Sequence, residues 1–184
     1  MKQNKITQRI AGLLLAIVTI TQINAAAYIK FDGIDGEAKS DGHKDWIEIL
    51  SFNQGIHKPA SGASGSTRRR SSTEFTDLVV AKELDKSSPK LAEAVATGRV
   101  IPRVALDVTV ATERGDVTYY RYELTNVIVT SYQVNMDNSE YLPMDSFSLN
   151  FEEIKVTYTG LEFGPKGEPG DLVEYSWKVE EGEK

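Results

Sequence analysis

The chain has 184 residues, a formal net charge of −6 and no cysteine. This length fits a single domain that can bury a core without covalent cross-links. The absence of cysteine excludes disulfides, thiolate metal ligands and cysteine nucleophiles. The acidic excess argues against nucleic-acid binding, because such a surface repels phosphate backbones.

The first 27 residues have the order of parts of a secretory signal peptide. Lys2, Lys5 and Arg9 form a positive start, residues 10–20 are an uncharged apolar run, and three alanines end at Ala27. We predict cleavage at Ala27, which leaves residues 28–184 as one domain and takes the net charge from −6 to −9. The alternative is an uncleaved anchor, although the run is shorter than the roughly 20 apolar residues that a permanent span needs.

After residue 27, apolar and polar residues alternate with a period of two, which is typical of strands with one buried face. About nine short strands favour an antiparallel barrel or sandwich. The predicted strands cover residues 28–31, 46–52, 75–82, 104–111, 117–124, 127–134, 146–151, 154–159 and 173–179.

One short α-helix is predicted over residues 90–97, with Ser88 as its cap, Pro89 at the first helical position and Gly98 as its end. Two strands contain consecutive apolar residues, at 78–80 and 127–129, and such strands need cover on both faces. Either the helix or another layer of the domain provides this cover, or a second subunit does.

Residues 53–72 form a long loop rich in Gly and Ser, and its basic cluster consists of Arg68, Arg69 and Arg70. Loops of this length are uncommon in compact domains unless they are functional or disordered. The cluster is either a solvated loop tip or a site that docks onto an acidic surface, such as that of a neighbouring copy.

No set of residues indicates catalysis or a cofactor. His43 and His57 are the only histidines, and their spacing to other ligands predicts solvated surface residues. The segment 32–36 hints at a calcium loop but lacks the alternating acids and the distal glutamate, so its Asp-Gly pairs fit turns better. We therefore predict a protein that is not an enzyme and has neither catalytic nor metal-binding residues.

Six segments of the chain have a distinctive order and spacing: residues 28–37, 43–52, 82–91, 98–102, 122–131 and 149–158. Together they resemble the haemolysin-coregulated protein (Hcp) family, the tube subunits of type VI secretion systems. Segment 28–37 looks like the opening strand and turn of that family, segment 82–91 like the entry into its single helix, and segment 122–131 like a strand pair ending in Val-Ile-Val-Thr-Ser.

The resemblance implies a mainly β fold, an antiparallel β-barrel with one short helix, that assembles as hexameric rings. Such rings stack into a hollow tube that is fired by a contractile sheath, carries effector proteins in its lumen and is itself secreted. The resemblance implies neither catalysis nor a cofactor. It would place Asn53 in the lumen as an effector contact, and the loop with the three arginines fits ring stacking.

The secretory signal departs from the family, whose members begin close to the first strand and leave through their own apparatus. Three explanations are open: a variant used outside the ordinary tube, a bypassed signal, or a true start downstream of Met1. The rival interpretation is a monomeric periplasmic or secreted β-domain that binds a small ligand or a partner protein. Its pocket would be lined by Tyr119, Tyr120, Tyr122 and Trp177.

Overall fold

The computed structural model describes residues 25–58, 73–112, 115–136, 142–161 and 169–179. These residues form one helix and eleven strands, so the predicted mainly β fold with a single short helix is confirmed. In chain order the elements are β1 (Ala25–Phe31), β2 (Ile47–Ile49), β3 (Ser51–Asn53), β4 (Ile56–His57), β5 (Glu74–Phe75), β6 (Leu78–Glu83), α1 (Ser88–Thr97), β7 (Val100–Thr112), β8 (Gly115–Asn135), β9 (Met144–Asn150), β10 (Glu153–Leu161) and β11 (Pro169–Lys178).

Seven strands form one continuous antiparallel path in the order β2-β1-β7-β8-β9-β6-β3. The path does not close through a ladder between its two ends. Its ends are nevertheless consecutive in the chain, because only Leu50 separates β2 from β3. The Leu50 amide donates to the Ala81 carbonyl at 2.9 Å, so one bent segment joins both edges of the sheet.

Strand β8 replaces two predicted strands with one strand of 21 residues. Its first half pairs with β7 and β10, and its second half pairs mainly with β9. The two halves meet at Asn126, which has a left-handed φ of 51°. Asparagine tolerates this conformation better than most residues, so the interruption of the apolar pattern marks a bend and not a loop.

The core follows from the period-two pattern, because every second residue of the main strands faces one interior. Leu78 and Val80 of β6, and Phe147 and Leu149 of β9, are fully or almost fully buried. Aromatic rings also meet there, with the Phe31 and Phe147 rings edge to face at 5.8 Å. The apolar area removed from water is the main source of stability of such a sheet.

The helix α1 runs from Ser88 to Thr97 and buries Leu91 and Ala94 against the sheet core. It ends at Gly98, whose φ of 64° needs a residue without a β-carbon penalty. The prediction that Ser88 caps the helix is wrong, since Ser88 is the first helical residue and Ser87 stands at the N-cap position, without a side-chain capping hydrogen bond. The reason is that the Ser88 hydroxyl is occupied elsewhere, where it accepts hydrogen bonds from Lys82 Nζ and the Asp85 amide.

Candidate interaction surfaces

Three aliphatic side chains stand exposed on the outer face of the sheet. Val79 of β6, Val100 of β7 and Ile128 of β8 have exposed fractions of 43%, 52% and 38%. Val100 is directly opposite Ile128, and both point away from the core. We call these three residues the outer patch. Single exposed aliphatic residues are ordinary, but several on one sheet face can mark a contact with another protein.

The outer patch includes the outward-facing residues of the two strands with consecutive apolar residues, for which cover on both faces was expected. Leu78, Val80, Val127 and Val129 are buried in the core, and Val79 and Ile128 are the residues between them. The helix buries its own apolar residues against the core cluster and leaves Val79 and Ile128 open. Among the described residues, no part of the domain covers these two side chains, so the choice between cover by the same domain and cover by a second subunit stays open.

Asn53 lies beside the outer patch, at the end of β3. Its cross-strand partner is Val79, whose partner on the other side is Ser148. Asn53 is exposed, so its amide is free to meet another molecule. The register thus puts the predicted effector contact on the same sheet face as the aliphatic residues.

The other predicted site residues divide between strand β1 and the part of the chain outside the described residues. Arg68, Arg69 and Arg70 lie outside them, as do residues 1–24 of the predicted signal. Ala27 belongs to β1, where it pairs with Ile49 of β2 and Val108 of β7. The predicted cleavage position is therefore part of the folded sheet.

A buried ionic cluster fixes the loop that precedes β2. The Asp107 carboxylate accepts two hydrogen bonds from Arg121, both at 2.6 Å, and one from Thr118 at 3.2 Å. His43 Nε2 is 2.9 Å from the same carboxylate. The Tyr28 ring stacks on the His43 ring at 4.6 Å, and Trp46 meets it edge-on.

Two opposing effects set the charge of Asp107. Burial raises the pKa of this carboxyl, but the hydrogen bonds from Arg121 and His43 and the positive charge of Arg121 lower it by more, so the net pKa lies below its ordinary value. The group is therefore an acceptor, and His43 Nε2 carries the donated proton. Hydrogen bonds to an ionised carboxylate, such as those from Arg121 and His43 to Asp107, are stronger than hydrogen bonds between neutral groups.

The prediction of a solvated His43 is wrong, because its residue exposure is 5%. The physical reason is its contact with Asp107. This residue is 64 positions away in the chain, so the spacing of residues near His43 could not predict the contact. His57 is exposed, as predicted.

A second buried cluster joins the start of the helix to the sheet. The Lys82 side chain is fully buried, and its Nζ lies 2.8 Å from Asp85 Oδ1 and 3.1 Å from Asp145 Oδ2. The Tyr132 hydroxyl donates to the same Asp145 oxygen at 3.1 Å. Sequence reasoning missed this cluster, although the alternation carries a signal: Lys82 continues the buried positions Leu78 and Val80.

The four aromatic residues of the rival ligand pocket do not line one cavity. Tyr119 and Tyr120 contribute, with Arg121, to a shallow groove of about 330 Å³ on β8, β10 and β11. Tyr122 is buried in the core, and burial raises the pKa of its hydroxyl. Trp177 packs against that core beside Phe75 and does not line the groove.

Within the described ranges, no three or more His, Asp or Glu side chains come together in a way that could hold a metal ion. Among the same residues, no helix has the length and apolarity required to cross a membrane.

Comparison with known proteins places this fold in a defined group. A family model described as "Type VI secretion system effector, Hcp" matches residues 28–158. "Protein hcp1" of Pseudomonas aeruginosa strain PAO1 is 26% identical over 152 residues, which are 83% of this chain and 93% of that protein.

Solved structures agree with the sequence match. One described as a type six secretion system protein superposes with a TM-score of 0.78 at 27% identity, covering 87% of this chain and 99% of the other. Hcp1 from Salmonella typhimurium gives a TM-score of 0.70 at 25% identity, over 86% and 97% of the two chains. Since the family model spans most of its length, this chain belongs to the Hcp family of type VI secretion system proteins.

Proposed function

We propose that this chain is a non-catalytic tube subunit that forms hexameric rings, stacks them into a hollow tube and carries effector proteins in the lumen. The observation that carries the proposal is the outer patch. Val79, Val100 and Ile128 lie on strands whose other face is core, and nothing in the described part of the chain covers them. Identical neighbours around a closed ring would cover such residues in every subunit.

The partners follow from this role. They are further copies of the chain, effector proteins, and the sheath or spike components of a type VI apparatus, with secretion to the outside as the destination. The acidic surface of the body, with a net charge of −9 after removal of residues 1–27, offers a complementary surface for Arg68, Arg69 and Arg70 of the next ring. Neither nucleic acid nor a permanent membrane span has a place in this function.

Asn53 is the proposed effector contact in the lumen. It is exposed at the last residue of β3, so its amide can offer both a donor and an acceptor to a passing protein. Asn53→Ala should reduce the effector protein recovered with assembled rings, as measured by mass spectrometry of purified tubes. Ser51→Ala, at an exposed position of the same strand, is the matched control. Equal loss of effector from both variants would contradict the role of Asn53.

The assembly test uses the chain that begins at Tyr28. Light scattering behind a sizing column at micromolar concentration should give a mass near six subunits, and negative-stain microscopy should give rings with a central hole. Arg68, Arg69 and Arg70 changed together to Ser should leave the rings intact but shorten or abolish stacks. A chain that stays monomeric at all concentrations would contradict the proposal.

The second candidate function is a monomeric β-domain in the periplasm or outside the cell that binds a ligand. The shallow groove with Tyr119 and Tyr120 favours it, because a groove lined by aromatic and polar side chains suits a small polar ligand, and the Arg121 guanidinium in its wall is already paired with Asp107. Under this alternative the same sizing experiment gives only monomer, and Tyr119→Ala weakens ligand binding while leaving the molecular mass unchanged.

A further inference from the structure

The predicted signal-peptide cleavage position lies inside a strand that is paired on both sides. Ala25, Ala26 and Ala27 are opposite Val110, Thr109 and Val108 of β7. Ala27 and Tyr28 also pair with Ile49 and Glu48 of β2. The Thr109 hydroxyl donates to the Ala26 carbonyl at 3.3 Å, so the side chain of a neighbouring strand reaches the segment as well.

The residue that follows the bond is as well held as those before it. Tyr28 is 6% exposed, and its ring stacks on His43, which is anchored to Asp107. Next in the strand come Ile29 and Phe31, both 0% exposed in the main core. Freeing the Ala27–Tyr28 bond therefore requires separation of β1 from both neighbours and exposure of core residues, and not the fraying of a terminus.

A peptidase that recognises small residues binds its substrate as an extended segment with its backbone groups available. In the folded chain the ladder with β7 uses backbone groups of residues 25–28, and the ladder with β2 uses those of Ala27 and Tyr28 on either side of the bond. Cleavage of a folded protein then depends on the rare open form, whereas an unfolded chain is cut freely.

We propose that removal of the leader and completion of β1 exclude one another, so that the chain is cut after Ala27 only if it meets the peptidase before it folds. A chain that folds first keeps its leader and the full strand from Ala25. A chain that is cut first begins β1 at Tyr28 and leaves Val108, Thr109 and Val110 without their partners on that side. The order of folding and export thus decides which of two products one sequence gives. This inference does not depend on ring assembly.

The test is cell-free synthesis of the full chain with detergent-solubilised signal peptidase, either present from the start or added after folding is complete. Mass spectrometry of the N-terminus measures the fraction that begins at Tyr28. We expect this fraction to be at least tenfold lower when the enzyme is added late. Equal cutting in both orders, or no cutting at Tyr28 in either, would overturn the proposal.

Two sets of variants separate folding from recognition. Phe31→Asp puts a charge into the core and should be cut equally in both orders, with loss of folding checked by circular dichroism. Ala27→Leu enlarges the residue before the bond and should abolish cutting in both orders, whereas Ala26→Leu, at the neighbouring tolerant position, should be cut when the enzyme is present early. A Phe31→Asp chain that is unfolded yet still resists late cutting would also overturn the proposal.

Discussion

His43 Nε2 lies 2.9 Å from Asp107 Oδ2, and the two side chains are 6% and 0% exposed. The contact ties the loop before β2 to the middle of β7, and Arg121 of β8 completes it from the other side. A single carboxylate therefore holds three parts of the chain together. Because it is buried, losing it leaves donors without partners, which costs more than the net gain of an ordinary hydrogen bond.

Asp107→Asn should lower the free energy of unfolding by about 1–3 kcal/mol, since the buried His43 and the partly exposed Arg121 both lose a charged acceptor. Urea denaturation followed by circular dichroism measures the change. Asp41→Asn is the matched control, because Asp41 is exposed in the same loop and should change stability by less than about 0.5 kcal/mol. Equal effects of the two substitutions would mean that the cluster contributes nothing specific.

The same cluster predicts a dependence on acid. The pKa of Asp107 in the folded chain is below its ordinary value of about 3.9, so its stabilising contribution is complete above that pH and is lost as pH falls through the folded pKa. The stability difference between the wild type and Asp107→Asn should accordingly shrink as the pH falls below about 4. Unfolding free energies measured across this range test it, and a difference that stays constant would contradict the assignment.

Lys82 gives a prediction with an internal control. Lys82→Met should lower the unfolding free energy by about 3–5 kcal/mol, because it leaves the buried Asp145 carboxylate without its cation. Adding Asp145→Asn to Lys82→Met should recover part of this loss, since the second change removes the unpaired charge. Urea denaturation of the two single variants and the double variant checks this. Strictly additive losses would show that the two side chains do not act as a pair.

The strands were predictable because their alternation reports directly on burial. All nine predicted strands correspond to observed strands, and the errors lie at their joints. The predicted strand 46–52 divides at Leu50, where the segment turns from one edge of the sheet to the other. No local pattern specifies such a turn, because it is set by which distant strands the two halves meet.

Of the two ionic clusters, only the one with Lys82 and Asp145 could be predicted from the sequence pattern. Lys82 and Asp145 fall on the buried positions of their strands and are opposite each other in the ladder, so strict use of the period would have found both. His43 sits in a loop, and Asp107 lies on the strand face that this loop covers. Their pairing depends on how the loop folds back, which local spacing does not encode.

The loop before β2 is packed most tightly at Gly36. A β-carbon at this position would lie 2.3 Å from the Trp46 carbonyl oxygen and 2.5 Å from Ile47 Cα, and both are backbone atoms that cannot move aside alone. Gly36→Ala should therefore displace the loop and cost about 1–3 kcal/mol of stability. Gly42→Ala, in the same loop, meets open space and pays only for its φ of 86°, about 1–2 kcal/mol. Trp fluorescence should shift in the first variant only, because Trp46 lies beside Gly36, and the same shift in both variants would contradict this account.

The outer patch makes the last prediction, which concerns the surface that meets a neighbouring subunit. Ile128→Asp places a charge between Val100 and Asn150 on a face that a ring contact would desolvate, so we expect at least a tenfold weaker assembly with an unchanged monomer. Sizing with light scattering measures the assembly, and urea denaturation checks the fold.

Leu172→Asp is the matched control for this prediction, because Leu172 is 61% exposed on β11, away from the patch strands. If Leu172→Asp breaks the assembly and Ile128→Asp does not, the contact lies on the hairpin of β10 and β11. The outer patch would then be ordinary exposed surface. If only Ile128→Asp breaks it, the aliphatic residues that the domain leaves uncovered are the ones that a second copy buries.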